Sequence, residues 1–246
     1  MNLKENKNIV YCSYDGITDP LGQSQILPYL YGLSSIQKYH YTLISFEKIP
    51  HNYFLVSKLK KHNIDWIPLK YTKYPPILST LWDVYKLRRV INKLKDKGID
   101  LIHCRSYITT LVALGFKKKY KTPFIFDMRG FYADERVDGK IWPLNNFIYK
   151  KIYNYFKFKE KEFLQYSDYT ISLTTNGKKE IVSWNLAHQS KIKVIPCCTD
   201  ENLFQKNSIQ NVRRELGFNK EDFIISYVGS IGTWYMLDEM LDFFKV

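Results

Sequence analysis

Residues 11–30, "YCSYDGITDPLGQSQILPYL", decide the fold, because they form the pattern of a buried strand, a polar turn and a helix. About two to six residues are enough to join a strand to a helix. This turn is longer, and it is rich in Asp, Gly, Pro and Ser between Asp15 and Ser24. The extra residues predict a turn that holds a ligand; a long structural loop is the alternative.

Short apolar segments recur along the chain and predict strands. Most are continuous and rich in β-branched or aromatic residues, which is typical of strands buried on both faces of a parallel sheet. They are residues 9–14, 41–46, 65–69, 101–104, 124–127, 169–173, 192–195 and 223–228. Helical patterns lie between them, such as the stripe Val84, Leu87, Ile91 and Leu94. We therefore predict a doubly wound α/β domain with a parallel, Rossmann-like sheet.

The strand–turn–helix pattern starts again near the end of the chain. After a Pro- and Asp-containing segment, "DFIISYVGSIGTWYMLDEMLDFFKV" shows another strand, a Gly-rich turn and another helix. One strand with one or two helices cannot cover a sheet. We therefore expect residues 1–196 to form the first domain. Residues 197–246 are then a linker and the first β-α unit of an incomplete, truncated second domain.

The composition favours a globular, basic protein without a membrane span. Of the 246 residues, 45% are hydrophobic, and the formal net charge is +13. This charge favours an anionic partner, although Arg is scarce, which argues against nucleic acid. The polar start and the absence of a long apolar run predict a cytoplasmic protein. The four cysteines have no C-x-x-C spacing, so we expect reduced thiols and no metal site. No cofactor is expected either.

The first turn is the leading candidate for a phosphate site. Ligands of open parallel sheets bind at the carboxyl ends of the strands, where this turn lies. Pro28 is tolerated only in a first helical turn, so we place the helix start near Gln23 and Ser24, with Ser24 as the cap. Gly22 then permits close backbone approach, and the N–H groups that follow favour an anion. The dinucleotide fingerprint G-x-G-x-x-G is absent, which argues against a dehydrogenase that uses Glu47 to bind ribose.

Two further strand ends carry charged side chains. "LIHCRSY" places His103 and Arg105 at one strand end, and "FIFDMRGFYADER" places several charged groups after the next. Arg binds carboxylate or phosphate through two parallel hydrogen bonds, so this clustering indicates a binding edge. The candidates, with Asp15 from the first turn, are Arg105, Asp127, Arg129, Asp134 and Glu135. The alternative for the charged groups is that they form ion pairs that stiffen a long loop. The alternative for His103 is that it is a histidine packed in the core.

Residues 144–166 read as a long amphipathic helix. The expected inward stripe is Leu144, Ile148, Ile152, Tyr155, Phe156 and Phe163. Lys150, Lys157 and Lys161 share the opposite face by their spacing. Together with "KKKYK" at residues 117–121, they predict a basic surface for anionic lipid headgroups. A solvated helix face is the alternative.

Five stretches, taken in order, resemble the N-terminal half and inter-domain linker of the family 4 glycosyltransferases. They are "YCSYDGITDPLGQSQILPYL", "LIHCRSY", "FIFDMRGFYADE", "VIPCCTDENLF" and "YVGSIGTWY". The resemblance implies a retaining, sugar-nucleotide-dependent enzyme of the two-Rossmann-domain GT-B class. It also implies that the first domain binds the acceptor, that the second binds the nucleotide sugar, and that the reaction takes place in the cleft between them.

The resemblance assigns roles to several residues. Gly22, with Gln23 and Ser24, corresponds to the loop near the donor diphosphate. Asp15, Arg105, Arg129, Asp134 and Glu135 would face the acceptor side of the cleft, and Gly229, Ser230 and Gly232 would form the Gly turn of the second domain. The expected partners are a nucleotide sugar and a glycan or lipid-linked acceptor at the inner face of the cell membrane. Such enzymes commonly build cell-surface polysaccharides.

The sequence departs from the family pattern in two places. Many members carry an Arg and then a Lys that hold the diphosphate after the first strand of the second domain, whereas residues 230–235 here contain no cation. The paired glutamates of the family would lie beyond Val246. We therefore expect little transfer from this chain alone. A non-catalytic acceptor- or membrane-binding module that partners another chain is the alternative, and a phosphate-binding enzyme of another α/β family is a weaker one.

Overall fold

A computed structural model describes residues 7–36, 38–50, 53–199, 212–229, 231 and 235–245. Its centre is a sheet of seven parallel strands in the order β3-β2-β1-β4-β5-β6-β7. The strands are β1 (Lys7–Ser13), β2 (Tyr39–Glu47), β3 (Ile64–Lys70), β4 (Leu101–Arg105), β5 (Phe124–Asp127), β6 (Tyr169–Ser172) and β7 (Ile192–Val194). The predicted doubly wound, Rossmann-like fold is confirmed.

Ten α-helices lie among the described residues. They are α1 (Pro20–Gln25), α2 (Leu27–Ser34), α3 (Tyr53–Lys61), α4 (Leu78–Lys95), α5 (Ser106–Tyr120), α6 (Tyr132–Asp138), α7 (Phe147–Tyr166), α8 (Thr175–Ser183), α9 (Val212–Glu215) and α10 (Leu237–Phe244). A short 3-10 helix, Gln189–Lys191, precedes β7. Helices between successive parallel strands are the connections that such a sheet requires.

The core has two parts, one on each face of the sheet. Val10 and Cys12 of β1 pack in one cluster, with buried residues of α4, α5 and α7. Ile9 and Tyr11, the alternate residues of the same strand, pack in the other cluster, with Ile26 between α1 and α2 and with residues of α2 and α3. Successive side chains of a strand point to opposite faces, so a strand covered on both sides must be apolar throughout. This explains the continuous apolar segments of the sequence.

The eighth predicted strand, residues 223–228, is not a strand in the structure. A strand needs a neighbour that completes its backbone hydrogen bonds, and none of the seven strands pairs with this segment. Its ends are also unburied, since Phe223 is 87% exposed and Val228 is 96% exposed. The predicted boundary at residue 196 stays a prediction, although both core clusters draw only on residues between Ile9 and Ile192.

The first helix begins earlier than predicted and is interrupted. It starts with Pro20 directly after the N-cap Asp19, and it ends at Gln25 before a second helix begins at Leu27. Ser24 therefore lies inside α1 and is not its cap; its hydroxyl donates to the Pro20 carbonyl oxygen at 2.9 Å. The interruption has a clear cause, because Pro28 has no N–H to donate and fits only the start of a new helix.

The buried face of α7 also differs from the predicted stripe. Leu144 precedes the helix, which begins after Asn146 because the Asn146 side chain accepts from the N–H groups of the first turn. Leu144, Ile148 and Tyr155 are exposed. The buried residues are Phe156, Glu160, Phe163 and Leu164, which lie three or four positions apart on one face. Phe156 and Phe163 were predicted correctly, and Ile152 packs against the core. The other three predictions were wrong because they followed the apolar residues, whereas the true face includes a buried glutamate.

Candidate functional site

The sheet has one point at which the strand order reverses. From β1 the chain continues to β2 and β3 on one side, and it returns to place β4 on the other side of β1. Ligands of open α/β sheets bind in the crevice outside the carboxyl ends of the strands at this point. Asp15 follows β1 and Arg105 ends β4, and the Arg105 Nε atom lies 3.4 Å from Asp15 Oδ2. The sequence-predicted pair therefore spans the expected crevice.

Five charged or ionisable side chains meet at this edge, and we call them the edge cluster: Asp15, His103, Arg105, Asp127 and Arg129. Asp127 lies at its centre and is buried. One of its oxygens lies 4.0 Å from Arg105 Nη1 and 3.8 Å from His103 Nε2. The other lies 3.7 Å from Arg129 Nη1. These distances are those of ion pairs and exceed hydrogen-bond length.

The edge cluster keeps unused hydrogen-bonding capacity. Among the described residues, neither Asp127 Oδ1 nor His103 Nε2 has a hydrogen-bond partner, although both atoms are buried. Buried polar side-chain atoms in proteins nearly always have such a partner. Both atoms have almost no accessible surface, so a hydroxyl group or water molecule can serve them only where the surrounding side chains move apart. Ion pairs that stiffen the loop account for the charge of both Asp127 oxygens, but they leave the hydrogen-bonding capacity of Oδ1 unused.

The backbone beside the edge cluster is unusual. Arg129 has φ of 60° and Ser106, next to Arg105, has φ of 69°. Non-glycine residues seldom adopt this left-handed region, and holding them there costs about 1–3 kcal/mol each. Such strain concentrates at functional sites, where the surrounding structure fixes the side-chain direction. Of the two strained residues, Arg129 belongs to the edge cluster and Ser106 is next to its member Arg105.

The segment after β7 returns to the same edge, which sequence reasoning missed. The Pro196 carbonyl accepts from the Tyr29 hydroxyl at 2.9 Å, and the Cys198 carbonyl accepts from Gln25 Nε2 at 3.4 Å. Cys197 Sγ lies 3.2 Å from Arg129 Nη2. Residues 196–198 therefore run from the last strand across to α1 and α2. No pattern in the sequence marks this contact, because it depends on the order of the strands.

Glu47 explains much of the long first turn. Its carboxylate accepts from the backbone N–H groups of Ile17 and Thr18 at 3.0 Å each. It also accepts from the hydroxyls of Thr18 and Ser45 at 2.5 Å each. These donors occupy the carboxylate within the protein, so Glu47 does not act as a ribose-binding acid in this arrangement. The turn is ordered by a side chain from the neighbouring strand.

Gly22 faces its own loop. A Cβ atom at this position would lie 2.1 Å from the Gly16 carbonyl oxygen and 2.5 Å from Ile17 Cα. The absent side chain thus makes room for backbone of the protein, whereas the sequence pattern predicted close approach of a ligand. The N–H groups expected to be free are also placed differently, because α1 begins at Pro20 and Ile26 N–H already donates to the Gly22 carbonyl at 3.1 Å. A diphosphate role for Gly22, Gln23 and Ser24 stays a prediction.

Asp134 and Glu135 lie in a separate groove of about 810 Å³ between α6, α7 and α8. Asp134 accepts from the Tyr153 hydroxyl and from Lys157 Nζ, both at 2.8 Å. Lys157 Nζ also donates to the buried Glu160 at 2.6 Å. The contacts of Asp134 are therefore with this groove and not with the edge cluster. The sequence placed Asp134 and Glu135 with Arg129 because the three are neighbours along the chain.

Two ionisable groups of the groove have shifted pKa values. Burial alone would lower the pKa of Lys157, but its hydrogen bonds to Asp134 and Glu160 outweigh this effect and raise the pKa. Partial loss of hydration raises the pKa of Glu135, while the neighbouring Arg136 opposes the shift. Lys157 thus stays charged between two carboxylates. It is withdrawn from the basic surface on which the sequence placed it.

Ion pairs with described residues occupy three of the seven lysines of the predicted basic surface, one of which is Lys157. Lys150 and Lys161 are exposed as expected. In the basic run at residues 117–121, however, Lys117 pairs with Asp168 at 2.7 Å and Lys118 pairs with Glu162. Within the described residues no helix combines the length and apolarity needed to cross a bilayer. A membrane role for α7 therefore stays a prediction, and two of the three lysines predicted for it, Lys150 and Lys161, are exposed.

The second predicted Gly turn is described only in part. Gly229 is exposed, whereas Ser230 and Gly232 lie outside the described residues. The helix expected after this turn is present as α10.

Comparisons with known proteins give one family match and several similar folds. The family model described as Glycosyltransferase Family 4 matches residues 37–203. Sucrose-phosphate synthase from Thermosynechococcus elongatus is similar in structure, with 14% identity and a TM-score of 0.59 over 87% of this chain and 53% of that chain. Anabaena Alr3699/HepE in complex with UDP and glucose is also similar, with 13% identity and a TM-score of 0.51 over 85% of this chain and 50% of that chain.

At these identities the two solved structures show a shared fold only. The chain spans about half of the length of each. No curated protein matches the sequence. The family match covers most of the seven-stranded sheet, including the strand ends that carry His103, Arg105, Asp127 and Arg129.

Proposed function

The chain belongs to glycosyltransferase family 4, and from this premise we propose that it serves sugar transfer from a nucleotide sugar to a glycan or lipid-linked acceptor. The product would be a cell-surface polysaccharide or glycolipid, made at the inner face of the cell membrane. Hexosyl transfer with retention of configuration is part of this proposal. A nucleotide-sugar donor is supported by Alr3699/HepE, which was solved with UDP and glucose.

The edge cluster carries the proposal. Asp127 Oδ1 and His103 Nε2 are buried at the carboxyl edge without a hydrogen-bond partner among the described groups. Sugar hydroxyls both donate and accept, so one hydroxyl can satisfy a carboxylate oxygen or an imidazole nitrogen. Arg105 and Arg129 supply additional donors for hydroxyl, carboxylate or phosphate oxygens. We therefore assign the edge cluster to acceptor binding, and we assign no general base.

Donor binding is the part that this chain supports least. The sequence has no cation at residues 230–235, where the resemblance implies an Arg and a Lys for the diphosphate. Electrostatic stabilisation of a leaving group is usually a large part of catalysis. We propose that the 246-residue chain alone binds acceptor but transfers little sugar. The competing function is a non-catalytic acceptor-binding module that works with another chain. It would also bind acceptor, but it would transfer no sugar by itself.

Acceptor binding is tested with water-soluble oligosaccharides, by saturation-transfer NMR on the 246-residue chain. We expect binding that Arg129→Ala weakens about tenfold, since a hydrogen bond to a charged group contributes about 1.5–3 kcal/mol. Arg88→Ala is the matched control, because Arg88 is exposed on α4, away from the edge cluster. A folded chain that binds no oligosaccharide of a broad panel contradicts the assignment, as does equal weakening by both variants.

Transfer is tested in parallel with radiolabelled UDP- and GDP-sugars. We expect label in the acceptor to stay near the detection limit with the chain alone. Turnover at the rate of an ordinary glycosyltransferase would contradict the proposed deficit on the donor side. Donor-dependent label above background with the chain alone would favour transfer, whereas label that appears only when a second protein is added would favour the module that works with another chain.

A further inference from the structure

The first half of α4 exposes a row of large apolar side chains. Leu78 is 62% exposed, Leu81 60%, Trp82 54% and Tyr85 51%. Their spacing of three and four residues places them on one face of the helix, and we call this row the α4 face. The Trp82 and Tyr85 rings stack with centroids 5.2 Å apart. An exposed apolar patch of this kind marks an interaction surface.

The exposure of the α4 face does not come from a loosely held helix. The opposite side of α4 is buried through Ser79, Asp83, Leu87 and Ile91. Asp83 accepts from the Tyr14 hydroxyl at 3.0 Å and from the Thr72 N–H at 3.1 Å. These contacts fix the first half of the helix against the end of β1 and the end of β3. The orientation of the α4 face is therefore set by the fold.

The α4 face lies near the same edge of the sheet as the edge cluster. A helix that connects two parallel strands runs antiparallel to them, so its first turn lies beside their carboxyl ends. The contact between Tyr14, which follows β1, and Asp83 of α4 shows this placement directly. A partner surface bound to the α4 face would therefore lie close to the carboxyl edge of the sheet.

The charges around the α4 face are positive. The second half of the same helix carries Arg88, Arg89 and Lys93, all exposed, and Lys73 is exposed just before the helix. Arg89 follows Tyr85 by four residues and therefore continues the same face. α4 contains a single acidic residue, Asp83, and it is buried. The face thus combines aromatic and aliphatic side chains with cations.

This combination fits an anionic lipid surface better than a second copy of the chain. Trp and Tyr favour the boundary between headgroups and acyl chains, and Arg and Lys near the surface attract anionic lipids. A symmetric dimer through the α4 face would bring its arginines towards their own copies, and like charges disfavour that arrangement. Lipid headgroups offer the opposite charge and an apolar layer in one partner.

We propose that the α4 face docks the protein on an anionic membrane, with Leu78, Leu81, Trp82 and Tyr85 at the depth of the headgroups. This proposal names the surface that would contact the membrane in the proposed function. It rests on the proposed function in one respect, because the purpose of docking is access to a lipid-linked acceptor. It replaces α7 as the main membrane-facing element.

Vesicle sedimentation tests the proposal with the full 246-residue chain. We expect binding to vesicles of equal parts phosphatidylglycerol and phosphatidylcholine, and much weaker binding to phosphatidylcholine alone or at high salt. The double variant Leu81→Ser, Trp82→Ser should weaken partitioning about tenfold or more, because both side chains lose apolar area buried in the interface. Arg88→Gln and Arg89→Gln should each weaken binding to the anionic vesicles about fivefold.

The matched control is the double variant Phe147→Ser, Phe158→Ser on α7, whose side chains are 68% and 60% exposed. We expect it to bind as the unmodified chain does. Thermal melting checks that every variant is folded, and quenching by brominated lipid should reach Trp82 and be lost in Trp82→Phe.

Four results would overturn the proposal: no vesicle binding by the folded chain, unchanged binding in the α4 variant, an equal loss in the α7 control, or self-association that depends on the α4 face. The soluble-oligosaccharide experiment uses no membrane, so failure of docking and failure of the proposed function are distinguishable.

Discussion

Gly16, Gly22 and Glu47 show how single residues shape the first turn. A Cβ on Gly16 would lie 2.8 Å from a Glu47 carboxylate oxygen, and one on Gly22 would lie 2.1 Å from the Gly16 carbonyl oxygen. The two glycines therefore allow close packing of the Glu47 carboxylate and three backbone segments, which are those at Gly16–Ile17, Gly22 and Phe46. The same residues that suggested a ligand-holding turn are needed first to build the turn.

Substitution of Gly22 tests this view. We expect Gly22→Ala to lower the free energy of unfolding by about 1–3 kcal/mol, the usual cost of inserting atoms into a packed site. Gly32→Ala is the matched control in α2, where an added Cβ meets nothing within 4 Å. The control should be neutral or stabilising by up to about 1 kcal/mol, because Ala favours helix. Urea unfolding of both variants measures the difference.

Equal stability of the two glycine variants would contradict the packing role of Gly22. Weaker donor binding with unchanged stability would instead favour the diphosphate role that the sequence suggested.

At the scale of elements, α7 is held by a buried ionic network. Lys157 lies between Asp134 and Glu160, and the Tyr107 hydroxyl of α5 also donates to Glu160. Glu160 is 0% exposed, so these partners take the place of water around its carboxylate. The network connects α5, α6 and α7 on one face of the sheet. It also explains why the buried face of the helix contains a glutamate.

Removal of the Lys157 ammonium should destabilise the protein. Lys157→Met leaves the Glu160 carboxylate buried without its cation, and loss of one partner from a buried pair costs about 3–5 kcal/mol. The Lys157 side chain is itself 25% exposed, so we expect about 3 kcal/mol, the lower end. Lys150→Met, an exposed position on the same helix, should change stability by less than about 0.5 kcal/mol. Thermal and urea unfolding give both values.

A loss below about 1 kcal/mol in Lys157→Met would contradict the network as an anchor of α7, because that is within the range of surface ion pairs.

Sequence patterns located the elements well and their faces less well. Seven of the eight predicted strands are present, since continuous β-branched segments suit only strands covered on both sides. The start of the first helix and part of the buried face of α7 were wrong. The first error overlooked that Pro28 can begin a second helix, so that the first helix starts earlier, at Pro20. The second overlooked a contact from elsewhere, the burial of Glu160 beside Tyr107.

For the whole molecule, the location of the core predicts where the folding unit ends. Both core clusters lie between Ile9 and Ile192, and the contacts of residues 196–198 with α1, α2 and Arg129 complete the carboxyl edge. We expect a polypeptide of residues 1–199 to unfold cooperatively at the same temperature as the full chain, since a domain carries its own core. Circular dichroism during heating measures this midpoint.

A broad, non-cooperative transition in the 1–199 polypeptide would contradict the predicted boundary near residue 196 and would assign residues after 199 a part in the core.

The sequence by itself determined the doubly wound parallel sheet, and it determined that charged side chains gather at the carboxyl ends of β1, β4 and β5. Both follow from local information, because apolar periodicity and the residues at strand ends are encoded in short segments. Only the tertiary structure decided which of these side chains meet. It grouped Asp127 with His103 and Arg105, and it moved Asp134 to another groove. The physical reason is that strand order and helix packing bring together residues far apart in the chain, and no local pattern records them.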